Sequence, residues 1–580
     1  MRCFKCGTDN REGRKFCSNC GASLTGKCPQ CGAPNEPSDR FCGECGGLLD
    51  RSPRESPAPA RPVELGEAAS AAEAIEGERK TITALFADIK GSTELLEKLD
   101  PEEARVVVDP ALQLMSDAVR RFDGYVVQSV GDGIFALFGA PVSHEEHPRL
   151  ALHAALALQE AIKRHAAKLA ASGYPPIQAR VGVNTGEVVV RRLRATGRAE
   201  YAPIGLTANL AERLQTIAPA GSVVVSENTQ RLVEGYFRLG AMGLVTVKGI
   251  SQSINAFEVL AAGPLRSHFE LATRRGLTKF VGREHEIAEM MRALDLSRHG
   301  RGQIVAAVGE AGSGKSRLFH EFKRLVTGDC MVLETYSVSH GKASAYQPVL
   351  ELLHNYFGID QRDDGQLRYK KVRARLTTLD PALENTLPYV SALLGISDGD
   401  APAAPFEMDS PVKRSRTLDA LKQIFLRESL NQTIVLVFED LHWFDDESQA
   451  FLNLIADSIT NARILFLANY RPEYRHDWGS KSHYVQLRLD PLGKESAEEM
   501  LTALLGDDGE LAPLKHLIID KTVGNPFFME EIVQALTERG VLVRTGPVKL
   551  VQPLTRLEIP PTVQRILASR IDRLATDEKE

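Results

Sequence analysis

The sequence predicts a multidomain α/β protein, and three observations predict it. A chain of 580 residues is too long for one core, and roughly 150 residues per domain implies three to five domains. Its composition, 43% hydrophobic and 25% charged, is that of an ordinary globular protein. In two separate stretches, short apolar strands end in glycine-rich turns or carboxylates and run into helices. No apolar run approaches the ~18 residues that span a bilayer. The N-terminus, MRCFKCG, has cysteines where a secretory signal needs an apolar stretch, so a cytoplasmic location is expected. A net charge of −6 gives no argument for a nucleic-acid partner, and none is expected.

Eight of the nine cysteines precede Asp50, as the pairs Cys3/Cys6, Cys17/Cys20, Cys28/Cys31 and Cys42/Cys45; Cys330 stands alone. Each half carries two CxxC pairs ten residues apart, an internal repeat. Four thiolates suit tetrahedral Zn²⁺, and so short a segment has too little apolar core to fold without it. Residues 1–50 therefore read as a double zinc ribbon holding structural Zn²⁺. A disulfide framework is the competing reading, disfavoured by the expected compartment. With few aromatics present, a structural role or docking to a protein partner is expected.

Residues 51–78, rich in Pro, Ala, Arg and Glu without apolar periodicity, read as a flexible linker. A second seam at 263–279 bounds a middle domain, 79–262. There, residues 82–88 (ITALFAD) form a buried strand ending in Asp88, and Gly91-Ser92-Thr93 opens a helix whose amides could hold phosphate. Two further apolar strands flank Gly131-Asp132-Gly133 in a hairpin that puts Asp132 at their end. Two strand-end aspartates invite a metal; the alternative is that Asp132 only fills the turn. Residues 201–205 lead into a helix with Asn209 and Arg213 four apart on one face.

The segments FADIKGST, VGDGIFALF and IGLTANLAERL, in this order and spacing, resemble class III adenylate/guanylate cyclases over residues 78–260. The resemblance implies a ferredoxin-like α/β domain working as a head-to-tail homodimer, with the active site at the interface. It implies that the ribose 3′-oxygen of ATP, with GTP second, attacks the α-phosphate and pyrophosphate leaves. By position, Asp88 and Asp132 would bind Mg²⁺ or Mn²⁺. Asn209 would orient the ribose and Arg213 would stabilise the transition-state phosphate, both from the second subunit. The positions that read the purine hold Gln128 and Ala202, where adenylate cyclases of the family carry Lys and Asp or Thr. A glutamine amide offers donor and acceptor, alanine neither.

In the C-terminal region, the strand Gln303–Val308 runs into residues 309–316, GEAGSGKS, and then into a helix, the context a phosphate-binding loop requires. Gly309 and Gly314 let amides approach the phosphates of ATP, Lys315 reaches the terminal oxygens and Ser316 meets Mg²⁺. A second apolar strand ends in Glu439 and Asp440, a third runs into Tyr470-Arg471-Pro472, and a GNPFFMEE segment follows at 524–531. Together these resemble the STAND class of AAA-like signalling ATPases. On this reading residues 280–485 are the P-loop ATPase domain, and 486–580 are a helical lid with the start of a winged-helix region that Glu580 leaves incomplete. Arg471 would be the sensor arginine; a surface arginine before a turn is the alternative. Glu439 stands where the family has Asp, which points to binding ahead of hydrolysis. The module order resembles that of soluble adenylyl cyclase-like bacterial signalling proteins, implying a cyclase whose ATPase domain is a nucleotide-dependent switch. The alternative is a signalling scaffold whose cyclase fold only dimerises or senses nucleotide.

Overall fold

The computed structural model describes residues 77–92, 99–195, 198–246, 253–265, 267–326, 328, 330–337, 345–360, 362–396, 410–544, 548–551, 560, 563, 564, 566 and 567, with 18, 26–27, 34–35 and 45 near the N-terminus. The chain divides into two compact units, Met1–Ala74 and Ile75–Glu580. In the first, Gly26–Lys27 pairs antiparallel with Pro34–Asn35, and Cys45 is exposed at a turn. Cys3, Cys6, Cys17, Cys20, Cys28, Cys31 and Cys42, like the linker segment 51–76, lie outside the described residues.

The second unit begins with β1 (Gly77–Ile89), β2 (Tyr125–Val130), β3 (Gly133–Phe138), β4 (Ala179–Ala195), β5 (Arg198–Ile204), β6 (Val223–Ser226), β7 (Phe237–Val245) and β8 (Ile254–Ala262). They form one sheet in the order β2-β3-β1-β4-β6-β8-β7, with β5 paired to the far end of β4. The period of two along β1 sorts its side chains onto two faces. Leu85, Ala87 and Ile89 meet helices α1 (Pro101–Arg121) and α2 (His147–Ala171) through Val107, Met115, Leu152 and Leu158. Ile82 and Ala84 meet α3 (Leu206–Ile217) through Ala208 and Ala211. The α3 backbone lies so close to β4 that a Cβ on Gly182 would sit 2.1 Å from the Gln215 nitrogen, so only glycine fits. Helix α1 starts at a capping box between Asp100 and Glu103.

Further along, β9 (Gln303–Val308), β10 (Cys330–Tyr336), β11 (Thr433–Glu439), β12 (Ile464–Tyr470) and β13 (Tyr484–Arg488) build a parallel sheet ordered β10-β11-β12-β9-β13. Parallel strands covered on both faces read as continuous apolar runs, as IVAAV, TIVLVF and ILFLAN do. One face packs Phe425, Phe451 and Ile455 against Leu436, Phe438 and Phe466. The other packs Leu318, Phe319 and Phe322 of helix α4 (Lys315–Leu325) against Val305, Ala307 and Val437. A lid with its own apolar core follows: Lys494–Leu505, Ala512–Thr522 and α5 (Pro526–Glu538). No described helix is long and apolar enough to cross a membrane.

Candidate functional sites

Antiparallel pairing brings Asp88 and the Gly131–Asp132 turn together, because Asp88 on β1 is the cross-strand partner of Gly133 on β3. Gly131 takes φ 59° in that turn, and a Cβ on Gly133 would sit 2.6 Å from the Ala87 carbonyl oxygen. The hairpin can close this tightly only with glycine there. Asp88 and Asp132 are both half-buried at the sheet's end. On the other side of β1, Arg180 is the cross-strand partner of Asp88. Its guanidinium grips the carboxylate with two bonds, Nε to Oδ1 at 3.2 Å and Nη2 to Oδ2 at 2.9 Å, while Nη1 donates to the Thr216 carbonyl at 3.3 Å. Sequence reasoning missed Arg180. A charged residue inside the apolar run ARVGV was the available signal.

Among the described residues no hydrogen bond or ion pair joins Asn209 or Arg213 to the aspartates. Thr207, Ala208, Ala211, Leu214 and Gln215 are the buried face of α3, leaving Asn209 exposed and Arg213 half-buried on the face turned away from the sheet of their own domain. Gln128 is exposed on β2, just past a bulge after Val126. Ala202 lies on β5 opposite Arg191. A buried polar chain crosses the domain beneath these elements. His147 Nδ1 lies 2.8 Å from Thr83 Oγ1, which lies 2.8 Å from Thr185 Oγ1. Thr229 donates to Thr185, Ser226 lies against Thr229 and donates to Asn184, and Asn184 Nδ2 donates to the Thr207 carbonyl at 3.0 Å. The chain thus ends in the first turn of α3.

The phosphate loop joins β9 to α4, with Gly312 at φ 79° and Gly314 at φ 95°. Lys315 is buried, and Nζ donates to the Gly309 and Glu310 carbonyls at 2.8 Å each. Burial pulls its ammonium down to about 8, against the pull of Asp440 and Glu145. Glu439, 2% exposed at the end of β11, accepts from Asn469 Nδ2 at 3.0 Å. Asn469 Oδ1 in turn accepts the Asp440 N–H at 2.7 Å, holding Asp440 at φ 58°. Burial pushes both carboxyls above their usual range; at Asp440, Lys315 and Arg471 oppose the push. Asn469 was also missed, although an asparagine closing ILFLAN is a polar group ending a buried strand.

The lid clamps the loop. Asn525 Nδ2 donates to the Ala311 carbonyl at 3.0 Å, and a Cβ on Gly312 would meet Asn525 Oδ1 at 2.7 Å. Arg471 is 8% exposed, which removes the reading of a surface arginine. Its ion-pair partner is Glu145, from the connection between β3 and α2. Burial works against the guanidinium's charge, and the Glu145 and Asp440 carboxylates more than offset it. A cavity of about 1140 Å³ is lined by Lys315, Asp440 and Arg471 together with lid residues and Glu145.

Residues 76–260 match the family model of the adenylate and guanylate cyclase catalytic domain, 279–467 that of an AAA ATPase domain, and 3–46 that of the double zinc ribbon. The chain combines these three modules. An uncharacterized protein of Rhizobium meliloti (strain 1021) is 27% identical over 528 residues, which cover 89% of this chain and 50% of that protein. Adenylate cyclase 1 of the same organism is 32% identical over 184 residues, 31% of this chain and 28% of that protein. This chain therefore spans half the length of the first relative and matches a smaller share of the second. Among solved structures, the adenylyl cyclase CyaB from P. aeruginosa is similar at 30% identity, covering 33% of this chain and 98% of that one with a TM-score of 0.31.

Proposed function

We propose that residues 79–262 convert ATP, with GTP as second substrate, to a 3′,5′-cyclic nucleotide and pyrophosphate, and that the nucleotide-binding ATPase domain regulates this output. The observation that carries the reading is the pair of strand-end carboxylates, Asp88 and Asp132, in a domain whose Asn209 and Arg213 face outward. Two oxygen ligands suit Mg²⁺ or Mn²⁺, ions that take one or two carboxylates and complete their shell with water and substrate phosphate. When bound, such an ion would activate the ribose 3′-oxygen and screen the triphosphate.

Arg180 holds the Asp88 carboxylate in place with its two hydrogen bonds, and a divalent ion on Asp88 would free its guanidinium for phosphate oxygens. Asn209 would hydrogen-bond the ribose and Arg213 the α-phosphate across a head-to-tail homodimer, a reading supported by their position outside the buried face of α3. Gln128 can donate to or accept from a purine edge. The match to an adenylate cyclase of R. meliloti favours ATP. In the ATPase domain Gly309, Gly314, Lys315 and Ser316 would cradle the phosphates, Glu439 and Asp440 would order Mg²⁺ and water, and Arg471 would read the terminal phosphate. Structural Zn²⁺ on the eight N-terminal cysteines, and a protein partner for those ribbons, are proposed from their spacing and the double-zinc-ribbon match.

Purified protein with ATP or GTP and Mn²⁺ should release cyclic nucleotide and pyrophosphate in equal amounts, and Asp88→Ala should not. No product under any nucleotide and metal would sink the reading. A second reading, a signalling scaffold with a silent cyclase fold, is favoured by Gln128 and Ala202. It requires signalling to survive Asp88→Ala and to fail in Lys315→Ala.

A further inference from the structure

We infer that the cyclase domain supplies a carboxylate surrogate for the terminal phosphate of ATP: Glu145 occupies Arg471, so that a nucleoside triphosphate on the phosphate loop and the docked Glu145 exclude each other. The inference rests on the phosphate-loop reading of residues 309–316 and concerns the regulation of that pocket.

Glu145 belongs to the segment joining β3 to α2, in the cyclase domain, yet its side chain is spent on the ATPase pocket. Its side chain is 12% exposed and pairs with the buried Arg471. Its second oxygen, Oε2, is buried without a hydrogen-bond partner. A carboxylate with one oxygen on a buried guanidinium and another left bare is costly in a protein interior. Two cations favour it there. Arg471 pairs with it directly, and Lys315 lies close enough to feel its charge. These are the two cations assigned to the phosphates, so Glu145 stands on the charge that a terminal phosphate would need.

The neighbouring residues seat Glu145 from both sides. The His144 ring packs against Trp443, three residues beyond Asp440, with centroids 5.1 Å apart. Glu146 pairs with Arg149, whose guanidinium lies 4.1 Å from the Tyr236 ring centroid. Meanwhile Lys315 is turned back onto the Gly309 and Glu310 carbonyls. An arriving terminal phosphate brings more charge and more acceptor oxygens than one carboxylate, and like charges do not share a buried site. It therefore displaces Glu145 from Arg471. A diphosphate lacks that group and leaves the pair standing. The switch is built to distinguish the two nucleotides, and its moving part is the docked edge of the cyclase domain.

The test uses the full chain, ADP, a non-hydrolysable ATP analogue with an imido bridge, and Mg²⁺. Calorimetry on wild type, Glu145→Gln and Lys315→Ala assigns the component lost in Lys315→Ala to the phosphate loop. Glu145→Gln should tighten the ATP analogue at that site about tenfold and change ADP by less than about twofold, since only the triphosphate competes with the carboxylate. Hydrogen exchange in wild type should rise at residues 141–149 with the analogue and stay unchanged with ADP. Equal gains in affinity for both nucleotides in Glu145→Gln, or equal exchange at 141–149 with both, overturns the inference. Undiminished binding in Lys315→Ala instead overturns the phosphate-loop reading, and the inference with it.

Discussion

The phosphate loop lies in a pocket closed by one chain, with Lys315 and Glu439 buried and Asn525 of the lid bonded to the loop. The aspartates of the cyclase domain lie half-buried at open strand ends, and Asn209 faces solvent on the far side of its helix. The first site has its charges, their counter-charges and its cover in place. The second, on the proposed reading, would draw half of its donors from another copy. The contrast teaches a division of labour: a site complete in itself can hold nucleotide as a standing signal, whereas a site completed by association can be switched by anything that moves one domain relative to another.

Five measurements break or sharpen that comparison. The largest effect is expected at the open site, where Asp88→Ala should lower cyclic-nucleotide formation at least about a thousandfold by removing an ion ligand. Mixing it with Arg213→Ala should restore activity, since one interfacial site would then hold all four groups; an inactive mixture argues against the shared site. At the closed site, Lys315→Ala should weaken triphosphate binding about a hundredfold by titration calorimetry, the worth of charged hydrogen bonds to phosphate. Gln128→Lys should shift the ATP to GTP preference of cyclase turnover about tenfold towards ATP, one hydrogen bond's worth of discrimination at the base. The smallest effect is structural. Thr185→Val cuts the buried chain between His147 and Thr207 and should cost about 1–3 kcal/mol in denaturant unfolding; an unchanged midpoint would show that chain to be dispensable.

Much of the architecture was legible because it is written in local patterns. The run ITALFAD alternates between two covered faces, so β1 was visible, although it starts at Gly77, five residues before the apolar run, because its polar first residues also pair with β4. Glycine-rich turns marked the hairpin at Asp132 and the loop at Gly309, where conformation itself demands the residue. The end of strand β12, Tyr470, pairs with Val308 of β9. Arg180, Asn469 and Glu145 were not legible for a shared reason: each matters only through a partner distant in sequence. Arg180 is 92 residues from Asp88, Asn469 is 30 from Glu439, and Glu145 is 326 from Arg471.

By itself, then, the sequence determined the kinds of module, their order, the strand ends that bear carboxylates and the loop that cradles phosphate, because propensity, periodicity and turn chemistry act over a few residues. Only the tertiary structure decided which charge answers which. It gave Asp88 to Arg180, turned Asn209 away from its own sheet, and set a glutamate of one domain on the arginine of another. Electrostatic partnership depends on burial and on distance through space, and neither is encoded at a fixed spacing along the chain.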